Sequence, residues 1–344
     1  MRPIRLALYG DVDLNILDGS AIWLASLAEV LAGHPRVELT VLLKAEERRD
    51  LITAGLRNLS RVQLTRPAHA GRRLSQAQAV AALSDLDRRD GFHAVILRGL
   101  KVSREAAGSD LAGKLWCYLT DIPQQAHDVD AHTRQDLDNI AAASDRLLCQ
   151  TEELRAYLEG IVPTARDRTV LLPPMVPPTF SAPVHERPAG RGFRLFYAGK
   201  FAPLWGFLET VRAFRSLQES HPDLEFHVAG DKIHNPPDDP DFKPAVEAAL
   251  QSGDGLVWHG ACTREEVAGL LQHIDLALSA RDQEMSDSLE LSTKLLEYGA
   301  AGVPVVMNRT EMHERLYGSD YPLFIRGLDE LRDTLATGIR DAAA

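Results

Sequence analysis

The amino-acid sequence predicts an α/β protein of two doubly wound domains, and three observations carry that prediction. At 344 residues and 37.9 kDa the chain exceeds what one hydrophobic core comfortably organises, and a prior of about 150 residues per domain favours two. Short apolar runs alternate with helical stretches from Ile4 to Glu159, and the alternation restarts at Phe193. Between them, Leu171-Leu-Pro-Pro-Met-Val-Pro-Pro178 places four prolines in six positions, which neither a helix nor a central strand tolerates. The expected domains are residues 1–180 and 181–344, with a Pro-, Ala- and Gly-rich linker running to about Arg191.

The elements follow in order. Ile4–Tyr9 is an apolar run closed by Gly10, and Gly19–Gly33 repeats Ile22, Trp23, Leu27, Val30 and Leu31 at helical spacing. Residues 37–43 return to a strand, 46–53 read as a helix and 61–65 as a strand. A helix is expected over 75–90 and strands over 93–97 and 115–120. Helix 134–143, strand 147–150 and helix 152–159 complete the first half. In the second half, strands are expected at 193–198, 224–228, 256–259, 276–279 and 303–307. Helices are expected at 207–218, 245–251, 264–273 and 293–301. Strands joined through helices imply right-handed crossovers and parallel sheets covered on both faces. Two such domains on a proline hinge turn the carboxyl ends of their sheets toward one crevice, the usual ligand site of this architecture.

Composition narrows the function. The net charge is −11, with 22 basic and 23 acidic side chains in residues 1–180 against 16 and 26 in the remainder. That balance lacks the basic footprint that nucleic-acid binding needs. A local exception runs from Arg57 to Arg73, five arginines without a carboxylate, which reads either as a solvated loop or as a face for an anionic acceptor or lipid headgroups. No apolar run reaches the roughly 18 residues of a membrane span, so any membrane contact is expected to be peripheral. Met1-Arg2-Pro3 leads into a strand without the marks of a secretory signal, which predicts a cytoplasmic protein. Cys117, Cys149 and Cys262 form no metal-ligand spacing, and the twelve histidines form no metal comb, so no metal is expected. Cys117 and Cys149 sit in apolar runs and read as inert buried thiols. Gly10 is followed by Asp11-Val12-Asp13 rather than GxGxxG, and there is no GxxxxGK[ST]; a dinucleotide dehydrogenase and a P-loop enzyme are both disfavoured.

The segment from Ser288 to Val306 carries the chemistry. A polar loop enters a helix that Ser292 or Thr293 can cap, and free N–H groups at a helix start suit a diphosphate. Lys294 adds a positive charge just inside, and Glu297 shares its face one turn on, while Leu295, Leu296 and Ala300 are expected to turn inward. The plainer reading is an exposed i,i+3 ion pair.

Thr293-Lys-Leu-Leu-Glu-Tyr-Gly-Ala-Ala-Gly-Val-Pro-Val-Val306 resembles the donor-site signature of retaining glycosyltransferases of family 4, the group 1 glycosyltransferases of the GT-B superfamily. Phe196-Tyr-Ala-Gly-Lys200 is similar to the segment opening that family's C-terminal domain, and Leu224–Gly230, Val257–Gly260 and Ser144–Leu154 fall in the family's order. The resemblance implies a GT-B fold, two Rossmann-like domains facing a central cleft, the first holding the acceptor and the second a nucleotide sugar. It implies Lys200 and Lys294 against phosphates, Glu297 against the ribose, Gly199 giving the donor backbone access, and His259 to Ala261 bordering the base. Two positions depart from the pattern. Trp205-Gly206 stands where a second basic residue is common, and Leu289 stands where a glutamate is usual; either Glu290 takes that role by a one-residue shift, or this branch handles the sugar differently.

In the first half the resemblance points to Gly19 and Ser20, after the first strand, as contacts for donor phosphate or acceptor; Asp18 simply capping the helix is the equal alternative. Asp121, after another strand, matches a place near the reacting sugar or else forms an Asp-x-Pro turn, and His127 is a second candidate. The expected reaction moves a sugar from an NDP-sugar, with a UDP- or GDP-sugar as co-substrate and no other cofactor, to an acceptor hydroxyl of a glycan, lipid or small molecule, with retention. Lys200, Lys294, Glu290 and Asp121 are the catalytic candidates, and the donor site adds Ser292 and Thr293. The alternatives are a GT-B sugar-nucleotide epimerase and a non-catalytic nucleotide-sugar binder.

Overall fold

The computed structural model describes residues 2–68, 71–181, 190–286 and 288–341. They form two units: Met1–Met175 with Leu289–Leu291, and Val176–Ser288 with Ser292–Ala344. The expected linker lies mostly in residues 182–189, outside the described residues.

Unit 1 alternates β1 (Ile4–Gly10), α1 (Gly19–Gly33), β2 (Val37–Leu42), α2 (Thr53–Arg57), β3 (Val62–Thr65), α3 (Gln76–Asp90) and β4 (Ala94–Arg98). It continues with α4 (Leu100–Ala107), β5 (Leu115–Tyr118), α5 (Ala131–Ala143), β6 (Ser144–Cys149), α6 (Glu152–Ile161) and β7 (Thr169–Leu171). The strands pair in parallel in the order β3-β2-β1-β4-β5-β6-β7. Both faces are covered. Leu6 and Leu8 of β1 pack with Ile96 and with Leu24 of α1, while Ala7 and Tyr9 face the opposite layer with Leu83, Val102 and Ile140. This double burial explains why the strands read as continuous apolar runs rather than as alternating ones. Cys117 and Cys149 lie fully buried on β5 and β6, and burial pushes both thiols up, Cys149 to about 12.

The local signals act as their chemistry requires. Ser75 and Gln78 form a capping box at α3, and Gly91 ends that helix at φ 66°. The helix expected over 46–53 does not form. Asn15 Oδ1 accepts from the Arg48 and Arg49 N–H groups at 2.6 and 2.9 Å, and the Glu46 N–H donates to Arg72 O at 3.0 Å, so tertiary partners take the backbone groups a helix would use. The helix begins only at Thr53.

Unit 2 contains β8 (Arg194–Ala198), α7 (Phe207–Gln218), β9 (Glu225–Ala229), α8 (Phe242–Gln251), β10 (Leu256–Trp258) and α9 (Arg264–Leu271). It closes with β11 (Leu276–Ser279), α10 (Thr293–Ala300), β12 (Val305–Asn308), α11 (Glu311–Tyr317), β13 (Phe324–Ile325) and α12 (Leu331–Asp341). Its parallel sheet runs β10-β9-β8-β11-β12-β13. Phe207 and Phe214 of α7 pack with Phe226, and Leu331, Leu335 and Ile339 of α12 join the same core. The Arg332 Nε donates to Ser216 Oγ at 3.0 Å, so the C-terminal helix is seated on unit 2. Among the described residues no helix is long and apolar enough to cross a membrane.

The carboxyl ends of β8 and β9 meet backbone to backbone. A Cβ on Gly230, at φ +138°, would lie 2.1 Å from Gly199 O. Gly230→Ala is therefore expected to lower stability by about 2 kcal/mol or more in urea denaturation. An unchanged midpoint would refute the close approach.

Candidate functional site

The order of the second sheet reverses between β8 and β11, and ligands of doubly wound units bind at the carboxyl ends of strands flanking such a reversal. Three cations gather there. Lys200 follows β8, and its Nζ lies 4.0 Å from the centre of the Trp205 ring. Arg281 follows β11, with its guanidinium 5.8 Å from the centre of the same Trp205 ring. The Arg281 N–H donates to Asn308 Oδ1 and Asn308 Nδ2 donates back to Arg281 O, both at 2.8 Å, so a buried amide fixes the loop. Lys294, in the first turn of α10, holds its Nζ 4.6 Å from the Tyr197 ring centre.

Gly199 makes room for this arrangement. At φ +144° it lies where a Cβ would come 3.1 Å from Lys294 Nζ, so the ammonium occupies the space a side chain would fill. Burial, then the charges of Arg281 and Lys200, pull the Lys294 pKa down from 10.5 to about 7; Glu297 opposes them. Ser292 is the N-cap residue of α10, but its side chain makes no capping hydrogen bond, which corrects the capping expectation, and Thr293 is the first helical residue. Ala300 is exposed rather than turned inward; Tyr298 is the buried residue, its hydroxyl accepting from the Ala198 N–H at 3.1 Å.

Glu297 is buried, 7% exposed, and accepts from Arg264 Nη2 at 2.8 Å. It is not an exposed helix pair with Lys294. Burial raises its pKa while Arg264 and Lys294 oppose the rise. His259 ends a polar chain: its Nε2 lies 3.0 Å from His227 Nδ1, His227 Nε2 lies 3.1 Å from Glu225 Oε2, and Arg194 Nε donates to that same oxygen at 2.6 Å. Burial lowers the pKa of both histidines.

The unit 1 candidates have surroundings of their own. Asp18 Oδ1 accepts from the Ser20 and Ala21 N–H groups at 3.0 and 3.1 Å, so the capping reading describes the start of α1, with Gly19 as its first residue. Asp121 is exposed in a left-handed conformation at φ 62°, which aspartate tolerates, and Thr120 Oγ1 donates to it at 3.3 Å. His127 is exposed beside Asp128. Glu290 packs with unit 1, where its charge helps raise the Tyr118 phenol. Leu289 is held by both backbone groups: its N–H donates to Gln124 Oε1 and its carbonyl accepts from Thr151 Oγ1, each at 2.9 Å. In the arginine run, Arg57 bonds Glu47, Arg66 bonds the Gly71 carbonyl and Arg73 bonds Asp13.

Two participants escaped sequence reading. Arg281 carries a signal, a basic residue two positions beyond a buried strand. Arg264 carries none, because its partner Glu297 lies 33 residues away. Among the described residues no three His, Cys, Asp or Glu side chains converge as a metal site requires.

Residues 192–339 match the family model described as "Glycosyl transferases group 1". No curated protein sequence matches the chain. Among solved structures, HepE of Anabaena in complex with UDP and glucose superposes with a TM-score of 0.71 at 14% identity, over 99% of this chain and 91% of that one. Sucrose-phosphate synthase of Thermosynechococcus elongatus gives 0.72 at 14% identity, over 99% and 90%. WaaG, a glycosyltransferase involved in lipopolysaccharide biosynthesis, gives 0.63 at 16%, over 98% and 90%. The fold of the chain is that of the GT-B glycosyltransferases, with two Rossmann-like domains on parallel sheets.

Proposed function

We propose that this GT-B chain, whose second unit matches the group 1 glycosyltransferases, transfers a glycosyl group from a UDP-sugar to an acceptor hydroxyl with retention. The observation that carries the reading is the half-buried Lys294, held with its pKa near 7 beside Arg281 and Lys200. Three positive groups crowded at a sheet reversal repel one another, and a diphosphate would relieve that repulsion. The same cations would stabilise the charge developing on the departing diphosphate, without a metal. Glu297 is assigned to the ribose, Gly199 and His259 to the borders of the donor, and Ser292 and Thr293 to the helix start beside it. Gly19 and Ser20 are assigned to the donor phosphate or the acceptor, and Asp121 and Glu290 to the reacting sugar. Support for a uridine donor comes from HepE, whose solved complexes hold UDP and UDP-glucose.

The test is a thermal-shift screen with UDP-, GDP-, ADP- and dTDP-sugars, followed by release of nucleoside diphosphate and an NMR assignment of the product anomer. A UDP-sugar is expected to stabilise the protein, and product of unchanged anomeric configuration is expected with acceptor. Inverted product would remove retention. Binding without release with any acceptor would favour a nucleotide-sugar binder, the reading that Trp205 and Leu289 at their departing positions support. Altered sugar released without acceptor would favour an epimerase.

A further inference from the structure

The order of the first sheet also reverses, between β1 and β4, and the last residue of β4 there is Arg98. It is in register with Gly10, the last residue of β1, and Tyr118, the last of β5. Its guanidinium lies 5.6 Å from the Trp23 ring centre and 5.7 Å from that of Tyr118, and those two rings are themselves 4.2 Å apart. A cation over two aromatic faces is held in position, but rings supply no hydrogen-bond acceptor in the guanidinium plane.

Among the described residues no oxygen accepts from the Arg98 side chain. Its Nε, and the indole Nε1 of Trp23 in the same stack, are buried without a hydrogen-bond partner. The carboxylates of the loop after β1 are committed to other partners. Asp11 takes Lys44 at 2.6 Å, Gln76 at 2.8 Å and the Tyr9 hydroxyl at 3.3 Å. Asp13 takes Arg73 at 2.8 Å and Asn15 at 2.7 Å. Glu290 acts on the Tyr118 phenol, raising it, while Arg98 acts on it in the opposite direction. An arginine fork fixed at a sheet reversal with its donors unused matches the geometry of a phosphate or carboxylate.

We propose that unit 1 binds an oxyanion at Arg98, and that the acceptor of the reaction therefore carries a phosphate or carboxylate group. The second clause rests on the glycosyl-transfer reading; the first does not. The cations of unit 2 serve the donor diphosphate in that reading, which leaves Arg98 for the other substrate. Trp23 sits against the guanidinium and reports on it.

The experiment follows the indole N–H resonances of the full-length protein by 1H–15N NMR, with the Trp23 peak assigned by its loss in Trp23→Phe. The probes are glucose 6-phosphate, glucose as a neutral control, and UDP. Glucose 6-phosphate is expected to move the Trp23 peak saturably, less at high salt, and glucose is not. Arg98→Gln should weaken the response by about ten-fold or more, and Arg98→Lys, which keeps the charge, by less. Absence of a shift with glucose 6-phosphate, or an equal response in Arg98→Gln with an unchanged amide spectrum, would overturn the proposal. A shift produced by UDP alone would overturn it too, since the oxyanion would then be the donor's. If glucose 6-phosphate acts at Trp23 but UDP binds nowhere, the oxyanion site stands and the glycosyl-transfer reading falls.

Discussion

Replacing Lys294 with methionine is expected to abolish most nucleotide affinity while making the empty protein more stable. The ammonium is half-buried beside Arg281 and Lys200 and titrates near 7, far below its ordinary 10.5. Between those two values the unfolded chain binds the proton and the folded chain does not, so this group makes stability rise with pH across that window; below about 7 its full penalty is present. Methionine fills similar volume without charge, so its advantage over lysine in melting temperature should be largest near pH 6 and shrink toward pH 10. Affinity runs the other way. Loss of a buried charge partner for a diphosphate is worth about 2 kcal/mol or more, roughly 30-fold in Kd for UDP. In the unsubstituted protein, UDP affinity should fall as pH rises through 7, with proton uptake on binding seen as a buffer-dependent enthalpy in calorimetry. A pH-independent Kd, or a methionine variant that binds UDP normally, would refute an anion site at Lys294.

Glu297→Ala is expected to destabilise the fold itself, and strongly. Its carboxylate accepts from Arg264 at 2.8 Å, and the two side chains are 9% and 12% exposed. Removing the carboxylate deprives a buried guanidinium of its ion-pair partner, a loss of about 3–5 kcal/mol, equivalent to a melting temperature lower by roughly 6–20 °C. Arg264→Met in the same background should recover much of that loss, because the buried positive charge is then removed together with its carboxylate. The alanine variant is thus a poor probe of ribose binding. Glu297→Gln keeps the shape and the hydrogen-bonding oxygen, and if the ribose reading holds it should weaken UDP binding by about ten-fold with a much smaller loss of stability. A Glu297→Ala protein that melts with the unsubstituted one would show that the Arg264 pair contributes little.

Much of the architecture is legible in residue order because it is locally encoded. α1 (Gly19–Gly33), α7 (Phe207–Gln218) and β11 (Leu276–Ser279) keep their expected boundaries, each an apolar pattern with its own stop. α4 was not anticipated, since it starts from Gly99 without a capping side chain and spans eight residues. The short edge strands β7 and β13 show too few residues for a period to register. α11 does carry a local signal, Thr310 capping the His313 N–H before an acidic first turn.

The candidate site divides along the same line. Lys294 was legible from its place in the first turn of a helix, and Lys200 and Gly199 from the resemblance of Phe196–Lys200 to the family's segment. Partnership was not: Arg281 reaches Trp205, Arg264 reaches Glu297, and Asn15 takes the backbone that would have coiled at 46–53, all across gaps that only folding closes. Residue order alone determined two parallel doubly wound units and which segments stand at their strand ends, because hydrophobic period and turn chemistry act over a few residues. The tertiary structure decided which charges meet and which are left over, as at Lys294 and Arg98, because Coulomb and hydrogen-bond energies depend on distance and burial, and neither is a property of sequence spacing.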